Sequence, residues 1–319
     1  MVRAIPSPCP GPHEHPHHPS SDDRHAGRHH SCDAARRDRR IGNSPGAAGP
    51  GRALRAILAS TGRVRCSPLR DVAGARREVL TNTVIDRQRL AAWIQPRHLD
   101  DQALEAYRSA FTTHPARLVI IRDFLAPDVA DRLGRFLANE AEFKPEFGLY
   151  SIEGAVKEED WLRADDQDRF FRLGKVVGTP PRFQTSPNAL TYLQFRMAFQ
   201  RPEFKAFFES ISGMPLGWSD DFGAHAMAAG DFLRPHSDDN KDRQLALVIY
   251  LTPGWKRKFG GVLRVVHHDE RFTDVEPEYN SLIAFDVLAS PAHLVLPIQP
   301  GTAGSTRRLS IGGWYHKLG

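Results

Sequence analysis

The sequence predicts a mostly β protein: an all-β sandwich or jelly roll from about residue 216 onward, preceded by a helical layer. Three observations predict it. Beyond residue 216, short runs rich in Val, Ile and aromatic residues alternate with Gly, Pro and Asp turns, the punctuation of antiparallel strands. Between residues 80 and 215, capped stretches carry apolar residues at helical spacing. The first 80 residues contain no Phe, Tyr, Trp or Lys and no sustained apolar period.

Taken in order, residues 1–79 are expected to be a disordered basic tail, since such a segment buries too little apolar surface to offset the entropy of ordering. The alternative is a start codon assigned too early in a GC-rich gene, which would also give Arg without Lys. Residues 80–319 then form one domain, with 80–215 as helical support and substrate loops and 216–319 as the β core. Asp100 reads as the N-cap of a helix. Pro127 suits the first turn of an amphipathic helix, and two more helices are expected over 188–199 and 202–211. Substrate-facing loops are expected over 143–187, where Phe143, Tyr150 and Trp161 lie among charges. No internal repeat is visible.

The chain has a formal net charge of +5, but residues 1–78 carry +7 and the remainder −2. The basic balance therefore belongs to the tail, and nucleic-acid binding through phosphates is expected only there. No apolar run approaches the ~20 residues that span a bilayer, and no apolar leader follows the N-terminus. A cytoplasmic protein with no membrane partner is the expectation. Cys9, Cys32 and Cys66 all lie in the first quarter and form no C-x-x-C site, which fits a reducing compartment.

Chemistry concentrates near the C-terminus. His236 and Asp238 are two apart, so on a strand end both side chains turn to one face while Ser237 points away. His293 opens a short apolar strand between Pro291 and Pro300 and is the candidate third ligand. Two imidazoles and a carboxylate make the open three-ligand face of non-haem Fe(II) oxygenases. The plainer readings are a polar turn at His236 and a satisfied core histidine at His293. His225, His267, His268 and His316 are read as structural, with His267 and His268 in an exposed turn. Trp255 and Trp314 are read as core.

The ordered landmarks decide between these readings. Gly230-Asp231-Phe232-Leu233, His236-Ser237-Asp238, Tyr250 to Trp255, Gly260-Gly261, Asn280 to Phe285, His293 and Arg308-Leu309-Ser310 run through residues 216–316. As a set they resemble the prolyl-4-hydroxylase-like branch of the 2-oxoglutarate/Fe(II) dioxygenases. The resemblance implies a double-stranded β-helix with helices on one sheet, and Fe(II) held by His236, Asp238 and His293. It implies 2-oxoglutarate and O2 as cosubstrates, with ascorbate a further candidate, and release of succinate and CO2. Arg308 would hold the far carboxylate of 2-oxoglutarate through its planar fork, helped by Ser310 on the same strand face. The alternative for Arg308 is an ion pair with Asp286. Met227 departs from the family pattern, which often has a Tyr there to help hold 2-oxoglutarate. The implied substrate is a peptidyl proline or proline-like group. The alternatives are a small-molecule hydroxylase of the same fold and a non-catalytic jelly-roll binding module.

Overall fold

The computed structural model describes residues 85–239, 242–300 and 306–318, with only the backbone of Asp220 and Asp221. The expected tail over 1–79 lies outside the described residues. Twelve strands form one antiparallel sheet: β1 Leu118–Ile121, β2 Glu142–Leu149, β3 Ile152–Val156, β4 Arg169–Gly178, β5 Leu216–Met227 and β6 Phe232–His236, then β7 Arg243–Tyr250, β8 Leu263–Val266, β9 Phe272–Val275, β10 Ser281–Asp286, β11 Ala292–Val295 and β12 Arg308–Lys317.

Strand order gives the architecture. One half of the sheet runs β1-β10-β7-β12-β5 and the other β6-β11-β8-β9, so the chain crosses between halves at β5 to β6, β6 to β7, β7 to β8, β9 to β10, β10 to β11 and β11 to β12. That alternation is a double-stranded β-helix. β4 joins the halves on one side, pairing through Gly174 and Lys175 with β5 and through Phe171 and Arg172 with β6.

Side-chain alternation separates two cores. Leu245, Leu247, Ile249, Leu309, Ile311 and Tyr315 face outward into a cluster with the helices, whereas Ala246, Tyr250, Met227, Ile283 and Phe285 face inward with Leu263, Val265 and Val295 of the other half. The outward cluster is closed by α1 Arg87–Leu90, α2 Asp101–Thr113, α3 Pro127–Arg135, α5 Pro187–Phe199 and α6 Pro202–Ser212; α4 is the short Glu158–Arg163. Their boundaries follow local chemistry. Asp100 caps α2 by accepting from the Ala103 N–H at 2.7 Å, Pro127 starts α3, Ser186 caps α5, and Gly213 at φ +70° ends α6. Phe199, Phe204, Phe207 and Phe208 are fully buried under the sheet, each contributing about 1.5–3 kcal/mol by leaving water.

The stretch 143–187, expected as substrate loops, is crossed instead by β2, β3 and β4. β4 was hidden from pattern reading because nine of its ten positions are half-buried, so neither face alternates clearly. Among the described residues no helix is long and apolar enough to cross a membrane.

Candidate active site

β6 ends at His236, and β11 brings His293 directly opposite it in register, with a bulge before the next pair, Val295 to Leu233. The two rings lie 4.1 Å apart between centroids, and Asp238 reaches the same point two residues later. One donor atom from each of the three side chains falls within 4.8 Å of the others, the only such group among the described residues. His236 Nδ1 donates to the Arg234 carbonyl at 3.0 Å, which leaves Nε2 free to offer its lone pair.

Electrostatics favour the metal-ready state of this trio. Burial drives His236 down to about 4, aided by neighbouring His293, so the ring is neutral at physiological pH. Burial alone would raise Asp238, but the adjoining His293 and His236 and the Trp314 hydrogen bond outweigh it and hold the carboxyl well below the usual range. Asp238 Oδ2 accepts from Trp314 Nε1 at 2.9 Å and lies 3.3 Å from His293 Nε2; Oδ1 lies 3.4 Å from the Arg243 guanidinium. A neutral His236 and an ionised Asp238, each oriented by a second hydrogen bond and converging with His293, fit Fe(II) with open positions.

The other histidines are elsewhere. His267 is not in an exposed turn: it is buried, its Nε2 2.9 Å from Thr273 Oγ1, and His114 from the end of α2 packs edge-on against it. His268 is exposed, His225 sits half-buried opposite Ser310, and His316 is buried near the end of β12. Trp314 does more than fill the core, since it holds a carboxylate oxygen of Asp238 and carries the Arg243 guanidinium over its face at 3.5 Å.

Arg308 lies inside the barrel on the same face of β12 as Ser310, and both are 4% exposed. Its guanidinium donates to the Tyr250 hydroxyl at 2.9 Å and approaches Met227 Sδ at 3.6 Å, while Nε has no partner. Asp286 is not its counter-ion, because that carboxylate pairs with Arg117 at 3.1 Å. A buried cation without an acid among the described residues is costly, and a dicarboxylate lying between it and the trio would supply the missing charge. Gly261, at φ +70°, makes the room: a Cβ there would come within 2.9 Å of Arg308 Cδ and 2.5 Å of Ile298 Cδ1. Sequence reading took Tyr250 only as a landmark and missed its role, which comes from its place opposite Ser310, where its hydroxyl lies beside the arginine and Met227 offers none. A tyrosine closing an otherwise aliphatic strand was the available signal.

Beside the trio, Phe170 meets the His236 ring edge-on at 5.3 Å and stacks on Tyr150 at 4.9 Å. The Tyr150 hydroxyl donates to the Pro235 carbonyl at 2.9 Å, pinning the β2–β3 turn to the strand that carries His236.

Mouse prolyl 3-hydroxylase OGFOD1 is 30% identical over 120 residues, covering 36% of this chain and 22% of that protein. Drosophila melanogaster prolyl 3-hydroxylase sudestada1 is 27% identical over 128 residues, with 36% and 23% covered. The match thus spans less than a quarter of either relative. A Pseudomonas putida prolyl-4-hydroxylase structure aligns over 68% of this chain and all of its own, at 24% identity and a TM-score of 0.41. Residues 222–316, which hold all three converging side chains and Arg308, match the 2OG-Fe(II) oxygenase superfamily.

Proposed function

We propose that this protein is a 2-oxoglutarate- and Fe(II)-dependent hydroxylase acting on a prolyl residue or proline-like group. The observation that carries the proposal is one inward-facing surface holding both a converging His236, Asp238 and His293 and a buried Arg308 with no acid beside it among the described residues. Bound Fe(II) with 2-oxoglutarate and O2 supplies the oxidation, ending in hydroxylated product, succinate and CO2. The chain's own residues do the rest. His236, Asp238 and His293 would hold the metal and leave positions open; Arg308, Tyr250 and Ser310 would fix the far carboxylate; Trp314 and Arg243 keep Asp238 oriented. The prolyl substrate is supported by the prolyl 3-hydroxylases among the relatives. Cytoplasm, where cysteines stay reduced, is the proposed compartment.

The test is metal and cosubstrate binding followed by turnover. His236→Ala, Asp238→Ala and His293→Ala should each lose Fe(II) affinity and succinate formation, while His267→Ala keeps both. Normal iron binding by His293→Ala would remove the third ligand from the proposal. Screening proline-containing peptides and free amino acids by mass spectrometry separates a peptidyl from a small-molecule substrate, and a protein that binds no iron would be a non-catalytic jelly roll.

A further inference from the structure

Trp218 is the most exposed large apolar side chain of the described residues, at 64%, yet its indole is not loose. It lies flat on the His316 imidazole, centroids 4.4 Å apart and planes 3° from parallel. The placement comes from the backbone. Between the pairs Tyr315 to Ser219 and Lys317 to Leu216 the register slips by one residue, and Gly217 fills the slip, because a Cβ there would sit 2.4 Å from the Lys317 carbonyl oxygen. Along β12, Tyr315 faces the helices while Trp314 faces the barrel, so His316 shares the face of Trp314, one two-residue step of about 7 Å farther along. That step leads away from Arg308 and past the metal trio. The ladder Arg308, Ser310, Gly312, Trp314, His316 therefore runs from the proposed cosubstrate pocket, past Asp238, to the rim.

We propose that the Trp218–His316 stack is a substrate subsite, taking a planar or aromatic side chain that flanks the target residue of a peptide. The proposal rests on the hydroxylase reading and refines its substrate. One indole face is covered by His316 and the other is open to a second ring, in the offset or edge-on arrangement that aromatic pairs favour. Exposed aromatic surface also adjoins the trio through His236, where Tyr150, 44% exposed, stacks on the Phe170 ring that meets the imidazole, so aromatic surface is reached from both His236 and Asp238, which suits an extended chain better than a free amino acid. The experiment uses the full chain loaded with Fe(II) and 2-oxoglutarate, and fluorescein-labelled peptides with one central proline and Trp or Ala at each flanking position. Anisotropy reports binding and succinate release reports turnover. Wild type should bind peptides with Trp at one flanking position five- to tenfold more tightly than the Ala counterparts. Trp218→Ala should erase that preference, Trp218→Phe should keep most of it, and peptide-free succinate formation should be unchanged in both. Peptide-stimulated succinate without an aromatic preference, or a preference that survives Trp218→Ala, overturns the subsite and leaves the hydroxylase standing. A Trp218-dependent preference without succinate leaves an aromatic-binding stack but overturns the hydroxylase and, with it, the substrate role of the stack. Neither binding nor succinate overturns both.

Discussion

Arg307 and Arg308 are adjacent in the chain and opposite in situation. Arg308 is buried beside Tyr250 without an acid, while Arg307 lies half-buried on the outer face with its guanidinium over Phe143 at 4.8 Å. Arg308→Leu should raise the 2-oxoglutarate requirement by one to two orders of magnitude, the scale of a charge-assisted hydrogen bond worth about 1.5–3 kcal/mol. Metal binding, read by Fe(II) titration under anaerobic conditions, should stay near wild type. Arg307→Leu should move neither quantity, and the reverse pattern would exchange their roles. Tyr250→Phe should raise the 2-oxoglutarate requirement by a smaller factor, about threefold to tenfold, since it removes one neutral hydrogen bond of about 0.5–1.5 kcal/mol. His236, Asp238 and His293 were legible in the sequence as candidates through the ordered landmarks around them, and the structure brings their side chains together. The roles of Tyr250 and Trp218 were not legible. The first depends on which residue of a distant strand falls opposite Ser310, and the second on a bulge that shifts parity; both are facts of register, which sequence periodicity does not encode.

At the level of elements, the loop that enters β8 is shaped by what Arg308 needs. Gly260 and Gly261 both have positive φ, and a Cβ on Gly260 would lie 2.2 Å from the Pro297 carbonyl oxygen. Gly261→Ala is therefore expected to cost about 1–3 kcal/mol of stability from backbone strain alone. It should also push Arg308 out of line, so denaturant unfolding and the 2-oxoglutarate requirement should worsen together; a variant that lost only stability would separate the loop from the cosubstrate. The helices were largely readable, since Asp100, Pro127, Ser186 and Gly213 are chemical signals confined to a few residues. The strands within 142–178 were not. β2 and β4 pair with each other and β4 also with β5 and β6, and neither the half-buried positions of β4 nor the exposed-to-buried run of β2 shows a period-two contrast.

For the whole molecule, the outer core contains a titratable group whose burial ties stability to pH. His98 is 4% exposed, and burial lowers its pKa against the opposing hydrogen bond to the Asp123 carbonyl at 2.9 Å. The folded state keeps it neutral, whereas the unfolded chain takes up a proton below about pH 6.5, so His98 makes the protein progressively less stable as pH falls from there to the lowered folded value. His98→Gln should flatten the fall in melting temperature between pH 7 and 5, and an unchanged slope would place the proton elsewhere. A chain beginning at Leu80 should keep the melting temperature and turnover of the full one, because the preceding sequence lacks residues that would dock it. The opposite end is a different matter. β12 lies between β5 and β7, at the middle of its half of the sheet, yet it is the last described strand to be synthesised. Until it emerges, β5 and β7 have no common neighbour, and Arg308, Ser310 and Trp314 have not yet been made. During translation the nascent chain therefore presents two open strand edges with no keystone, a window in which a chaperone, or another copy of the same unfinished sheet, competes for the place that β12 will take.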